Sequence, residues 1–133
     1  ACNAGSLHIP CEYIFTYSLI SQVFNMEMQV FEKQAAFAKA MGHPARMAVL
    51  DYLRGGEQCV CDIAEAVGTE RTNLSKHLSL MTAAGVLDSR RDGLKVMYRI
   101  KTPCVVRFLD CLTDCLKEQM REQQKMLAAL NSS

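Results

Sequence analysis

Tryptophan is missing from these 133 residues, proline occurs three times and glycine seven times. So few backbone breakers exclude a loop-dominated or low-complexity chain, and disorder is expected only at the two ends. No apolar run is long enough to cross a bilayer; Tyr13 to Ile20 is interrupted by Thr16 and Ser18. The first residues show no basic start followed by a long apolar stretch, so no secretory signal is read there. A cytoplasmic location with no membrane partner is expected. Net charge is nearly absent as well, at +1. Half the residues are apolar and 22% are charged, the balance of a globular protein of one domain.

What the chain has in excess is cysteine, with seven. In a reducing compartment such thiols serve as ligands or redox groups more often than as structural disulfides, and an odd number cannot all be paired. The charge is also uneven. From Arg71 to Lys101 seven basic residues (Arg71, Lys76, Arg90, Arg91, Lys95, Arg99 and Lys101) are opposed only by Asp88 and Asp92. Elsewhere eight basic residues meet twelve acidic ones. A positive segment on a near-neutral chain is the footprint expected for a polyanion partner.

Residues 1–25 show no clean period and start without Met, and Met26 would serve as a translation start. They are expected to be an N-terminal arm, an extension or a partly disordered segment, with residues 26–131 forming one domain. From Met28 a helical period sets in, carried by Phe31, Ala35, Ala38 and Met41. Gly42-His43-Pro44 ends that helix, and Pro44 suits the first turn of the next. Met47, Val49, Leu50 and Leu53 form the apolar stripe of this second helix, which Gly55-Gly56 stops. Ile63, Ala64 and Val67 mark a third helix closed by Gly68. Thr69 is placed to cap a fourth, whose Leu74, Leu78 and Met81 face inward until Gly85. Two short helices joined by a tight turn make a helix-turn-helix. Asp92-Gly93 then separates two strand-like runs, a strong hairpin signal. Pro103 opens a long last helix with Val105, Phe108, Leu109, Leu112, Leu116 and Met120 on one side.

The expected fold is therefore mainly α with a small β-hairpin, in the order of a winged helix-turn-helix. In that arrangement the second helix of the motif enters the major groove and the hairpin reaches the flanking backbone. Thr72, Asn73, Ser75, Lys76, His77 and Ser79 fall on the outward side of the helix from Arg71 to Ala84. They are short donors and acceptors for base edges, with one cation for phosphate. Arg90, Arg91 and Lys95 are expected to hold phosphates from the hairpin. The expected partner is double-stranded operator DNA, read by a homodimer because two half-sites require one.

His43-Pro44-Ala45-Arg46, Leu74-Ser75-Lys76-His77-Leu78, Ala84-Gly85-Val86-Leu87, Arg91-Asp92-Gly93 and Met97-Tyr98 together resemble the ArsR/SmtB family of metal-sensing repressors. The match covers about residues 30–120. The resemblance implies a homodimer built through the first and last helices, which leaves DNA when an inducer binds. Cys59-Val60-Cys61-Asp62 looks like the inducer site of the arsenic- and cadmium/lead-sensing branches.

The residues themselves bear on that implication. Positions two apart point to different sides of a regular helix, so Cys59 and Cys61 converge on one ion only through an irregular first turn. Trivalent arsenic or antimony takes three thiolates, while cadmium, lead or zinc take three or four. The arsenic-sensing pattern has another cysteine three residues after the second, where this chain has Ala64, so the third ligand must come from elsewhere. Cys104, which opens the last helix after Pro103, is the first choice; Cys11, with Cys2 behind it, is the rival, because cadmium/lead sensors use N-terminal cysteines of the partner chain. The family's zinc site uses histidines on the last helix, and no histidine follows His77. Cys111 and Cys115 share a helical stripe with Cys104 and read chiefly as small core residues. A second possibility is a repressor of the same fold that senses oxidants or persulfides through Cys104, Cys111 or Cys115. A thiol enzyme is disfavoured, since the spacing is Cys-x-Cys and no strand–helix–strand unit frames it. No organic cofactor and no small organic substrate are expected.

Overall fold

The structure, a computed structural model, describes residues 11–132. The chain divides into two units, residues 1–36 and residues 37–133. Helix α1 runs Cys11–Met41. It begins well before Met28 and runs on through residue 25. The reason is local: no proline or glycine occurs anywhere between Cys11 and Met41 to interrupt it. Of the stripe expected on this helix only Met41 is buried; Ala40 is buried beside it, while Phe31, Ala35 and Ala38 are exposed.

Helix α2 (Pro44–Tyr52) starts with proline in its first turn. His43 caps it, its Nδ1 accepting the Ala45 N–H at 3.1 Å. A short 3-10 turn (Leu53–Gly55) leads to a two-residue strand, β1 (Gln58–Cys59). Helix α3 (Val60–Val67) and helix α4 (Arg71–Ala83) form the helix-turn-helix. Gly68 closes α3 with a left-handed backbone. The Thr69 N–H bonds to the Ala64 carbonyl, so Thr69 belongs to the closing turn of α3. Glu70 therefore stands at the cap position of α4 in place of Thr69, without a side-chain capping bond. Helix α4 ends in a Schellman motif. The Val86 N–H reaches the Met81 carbonyl at 2.9 Å and the Gly85 N–H reaches Thr82 at 3.0 Å, with Gly85 at φ +81°.

Strands β2 (Leu87–Asp92) and β3 (Lys95–Ile100) form the hairpin. Because Asp92 pairs with Lys95, the turn residues are Gly93 and Leu94, one position later than the Asp-Gly signal suggested. Gly93 alone carries the positive φ, the pattern of a type II′ turn. The hairpin is also not alone: β1 pairs antiparallel with β3, giving a three-stranded sheet in the order β1-β3-β2.

Helix α5 (Cys104–Asn131) completes the fold. Val49, Leu50, Ile63, Leu74, Leu78, Met81, Val86 and Leu87 are almost wholly inaccessible and draw α2, α3, α4 and the start of β2 into one core. Each such side chain contributes about 1.5–3 kcal/mol of burial. On α5 only Val105 and Leu109 join them. Phe108, Leu116 and Met120, expected on the same stripe, remain exposed. Among the described residues no helix is long and apolar enough to cross a membrane.

Candidate functional site

Helix α4 is held by its buried Leu74, Leu78 and Met81, spaced so that they share one face. The remaining faces are then fixed by geometry. Arg71, Thr72, Asn73, Ser75, Lys76 and Ser79 are exposed. Ser75 also donates to the Arg71 carbonyl at 2.8 Å, within its own helix.

His77 departs from the expected outward set. It is half-buried, and its ring stands 4.6 Å from that of His43. Burial, then the nearby His43 and Arg46, hold its imidazole below the ordinary value. Its position two residues from Ser75 and Ser79 gave no sign of this, because the contact is made with a residue from the cap of another helix. Arg46, whose Nη2 donates to the Lys39 carbonyl at 3.1 Å, has its Nε buried without a hydrogen-bond partner.

The basic segment is partly neutralised. Arg99 pairs with Asp88 at 2.8 Å, holding that carboxyl below its usual range. Arg90 makes two bonds to Glu57, from Nε at 2.8 Å and Nη2 at 2.6 Å, and lies 3.6 Å from Asp92. Arg71, Lys76, Arg91, Lys95 and Lys101 have no ion pair among the described residues. Asp92 and Lys95 flank the exposed turn and Arg91 stands one residue before Asp92, so the end of the hairpin carries two cations without an ion pair among the described residues beside one carboxylate.

The thiols are arranged differently from the even pair that the sequence suggested. Cys59 ends β1 in an extended conformation and stands at the N-cap position of α3 without a side-chain capping bond; Cys61 lies in the first turn of that helix. Cys59 is buried, and its thiol donates to the Asp62 carboxylate at 3.0 Å, whereas Cys61 is half-buried. Cys104 is exposed at the first residue of α5, its sulfur accepting from Arg107 at 3.4 Å. Cys111 and Cys115 are exposed as well, against the expectation that they pack in the core.

Among the described residues no three His, Cys, Asp or Glu side chains gather as a metal ion needs. The chemistry of Cys59 and Cys61 suits a soft ion, but such an ion would have to replace the Cys59–Asp62 hydrogen bond and find its third donor elsewhere. Cys2 lies outside the described residues, as does the side chain of Cys11.

Known proteins share this fold. Residues 43–89 match the model of a family described as bacterial regulatory protein, arsR family. An HTH-type transcriptional regulator of Mycobacterium tuberculosis is 30% identical over 104 residues, covering 77% of this chain and 91% of that protein. A homodimeric winged helix-turn-helix DNA-binding domain from Mycobacterium bovis superposes with a TM-score of 0.66 at 28% identity, covering 72% of this chain and 89% of the other. The antimony-specific transcriptional repressor AntR gives a TM-score of 0.59 at 33% identity, covering 68% and 82% of the two chains.

Proposed function

This chain belongs to the ArsR family of bacterial transcriptional regulators, and from that premise we propose that it is a homodimeric repressor released from operator DNA by a soft metal or metalloid ion. Its relatives are regulators of transcription and not enzymes. One observation carries the DNA-binding part. Three buried residues lock α4 in place while Thr72, Asn73, Ser75, Lys76 and Ser79 are exposed on it, and the hairpin that follows carries Arg91 and Lys95, which have no ion pair among the described residues. Asn73 and the serines suit base edges; the three cations suit phosphate. His77 then acts on the orientation of α4 rather than on a base.

Dimerisation through α1 and α5 is supported by the apolar side chains that α5 leaves uncovered, namely Phe108, Leu116, Met120, Met126, Leu127 and Leu130. A second copy would bury them.

The inducer reading rests on Cys59 and Cys61 at the start of α3, with Cys104 as third thiolate or, failing it, a cysteine of the partner chain. Arsenic(III) or antimony(III) fits three thiolates, with cadmium, lead or zinc as alternatives. Helix α3 packs directly on α4, so a change in how α3 is held bears on the helix facing DNA. A coupling of about 1–3 kcal/mol between the two ligands is the usual scale. The test is DNA affinity with and without arsenite, on a duplex selected from a random pool, for the wild type, Cys59→Ser and Cys61→Ser. Arsenite should weaken wild-type binding and leave both variants unaffected; equal wild-type affinity in the two conditions ends the metalloid reading.

The exposure of Cys104, Cys111 and Cys115 favours a second reading, in which the signal is an oxidant or a persulfide. Cys111 and Cys115, one turn apart, cannot reach disulfide geometry without strain, so the bridge would join different helices or chains. Mass spectrometry after persulfide treatment distinguishes the two readings through a sulfur-bridged pair of peptides.

A further inference from the structure

Arg90 has the composition of a phosphate contact, yet all three of its guanidinium nitrogens face carboxylates. Nε and Nη2 bond to the two oxygens of Glu57, and Nη1 lies 3.6 Å from Asp92. Two parallel charge-assisted bonds are the strongest geometry available to such a pair. Glu57 is the drier partner, its side chain 25% accessible against 55% for Arg90. Its carboxyl is held below the usual range chiefly by the hydrogen bonds from Arg90.

The backbone explains why these two residues meet. Gly56, at φ +122°, turns the chain immediately before Glu57. In the sheet Cys59 pairs with Met97 and Met97 pairs with Arg90, so the three form one row from β1 across β3 to β2. Glu57 stands two residues before Cys59, and alternation along an extended chain returns its side chain to that face. The ion pair therefore straps β2 to the segment before β1 across the whole sheet. Arg91 is on the opposite face, paired with Val96, and carries no such partner among the described residues.

We infer that Glu57 is a positioning residue of the wing, which withholds Arg90 from DNA phosphate and leaves Arg91 and Lys95 as the wing's phosphate contacts. The inference rests on the reading of β2–β3 as a DNA-contacting wing. An oriented carboxylate already satisfies Arg90, so binding phosphate would exchange one anion for another and release the strap as well.

The dependence of DNA affinity on salt counts the phosphates that a protein neutralises, with log K falling by about 0.9 per contact for each tenfold rise in salt. The probe is a mixed-sequence DNA duplex, titrated across salt concentrations with the wild type, Glu57→Gln, Arg90→Gln and the double variant. Glu57→Gln should steepen the slope by about 0.9, so that a fourfold rise in salt costs it about three- to fourfold more affinity than the wild type. Arg90→Gln should leave the wild-type slope unchanged, and the double variant should return to it. A wild-type slope in Glu57→Gln, or a shallower slope in Arg90→Gln alone, overturns the inference while leaving the DNA-binding reading intact. Failure of the wild-type protein to bind the duplex at all overturns both. A purely structural strap would change thermal stability without changing the slope.

Discussion

The imidazole rings of His43 and His77 stand 4.6 Å apart, centroid to centroid, at a tilt of 40°. One caps α2 and the other belongs to α4, so the pair joins the second helix of the helix-turn-helix to the start of a core helix. Arg46, on the first turn of α2, adds a permanent positive charge to the same surroundings.

Acid should therefore weaken the fold. The His77 imidazole lies below its ordinary value of 6.5 because of burial first, then His43 and Arg46. On acidification the unfolded chain takes up this proton before the folded one does. Stability is complete above 6.5 and is lost as pH falls from there toward the lower folded value. Thermal melts from about pH 8 down to about pH 5 should show a decline in Tm that is shallower in His77→Gln. An identical decline in the variant would remove His77 from the account.

Leu78→Ala should be among the most damaging substitutions on α4. Its side chain is completely inaccessible within the core. Loss of a buried leucine costs about 2–5 kcal/mol. Chemical denaturation should show that loss as a lower midpoint with little change in slope.

Gly85→Ala isolates a backbone effect. A Cβ there would meet nothing within 4 Å, but φ is +81°. Placing a side chain on a left-handed residue costs roughly 1–2 kcal/mol, and the Schellman closure of α4 should loosen by that amount. Glycine restored by reversion, or a d-alanine introduced by synthesis, should recover stability.

Two substitutions separate reading from holding. Asn73→Ala should cost about 1–3 kcal/mol on a selected operator and almost nothing on mixed-sequence DNA. Arg91→Gln should weaken both duplexes alike and flatten the salt slope by about 0.9. Parallel losses on both duplexes for Asn73→Ala would mean that it contacts backbone.

Alkylation should rank the thiols. Cys104 is exposed, whereas Cys59 is buried and bonded to Asp62. Brief treatment with iodoacetamide under native conditions should modify Cys104 well before Cys59, as read by peptide mass spectrometry. Equal rates would mean that the turn around Cys59 opens readily.

The helix-turn-helix was legible because its signals are local. Leu74, Leu78 and Met81 follow the helical period, and Gly68 and Gly85 end their helices where glycine alone is unstrained. Strand β1 was not, since two residues carry no alternation and Gln58–Cys59 becomes a strand only by pairing with Tyr98 and Met97. The same distance in sequence hid the Glu57–Arg90 pair, whose members are 33 positions apart. At the hairpin the Asp-Gly signal was right about the turn and one residue early in register, because Asp92 still pairs with Lys95. The exposure of the cysteines was not legible, because it depends on core residues contributed by other elements.

Cys59 is at once the last residue of a strand, the N-cap residue of a helix and a buried neighbour of the core. Replacing it disturbs a buried contact and removes the hydrogen bond to Asp62, so loss of response in a Cys59 variant cannot by itself be credited to a missing ligand. Cys61 has none of the first two duties. A genetic screen for constitutive silencing would therefore be expected to recover cleaner alleles at Cys61, and temperature-sensitive ones at Cys59.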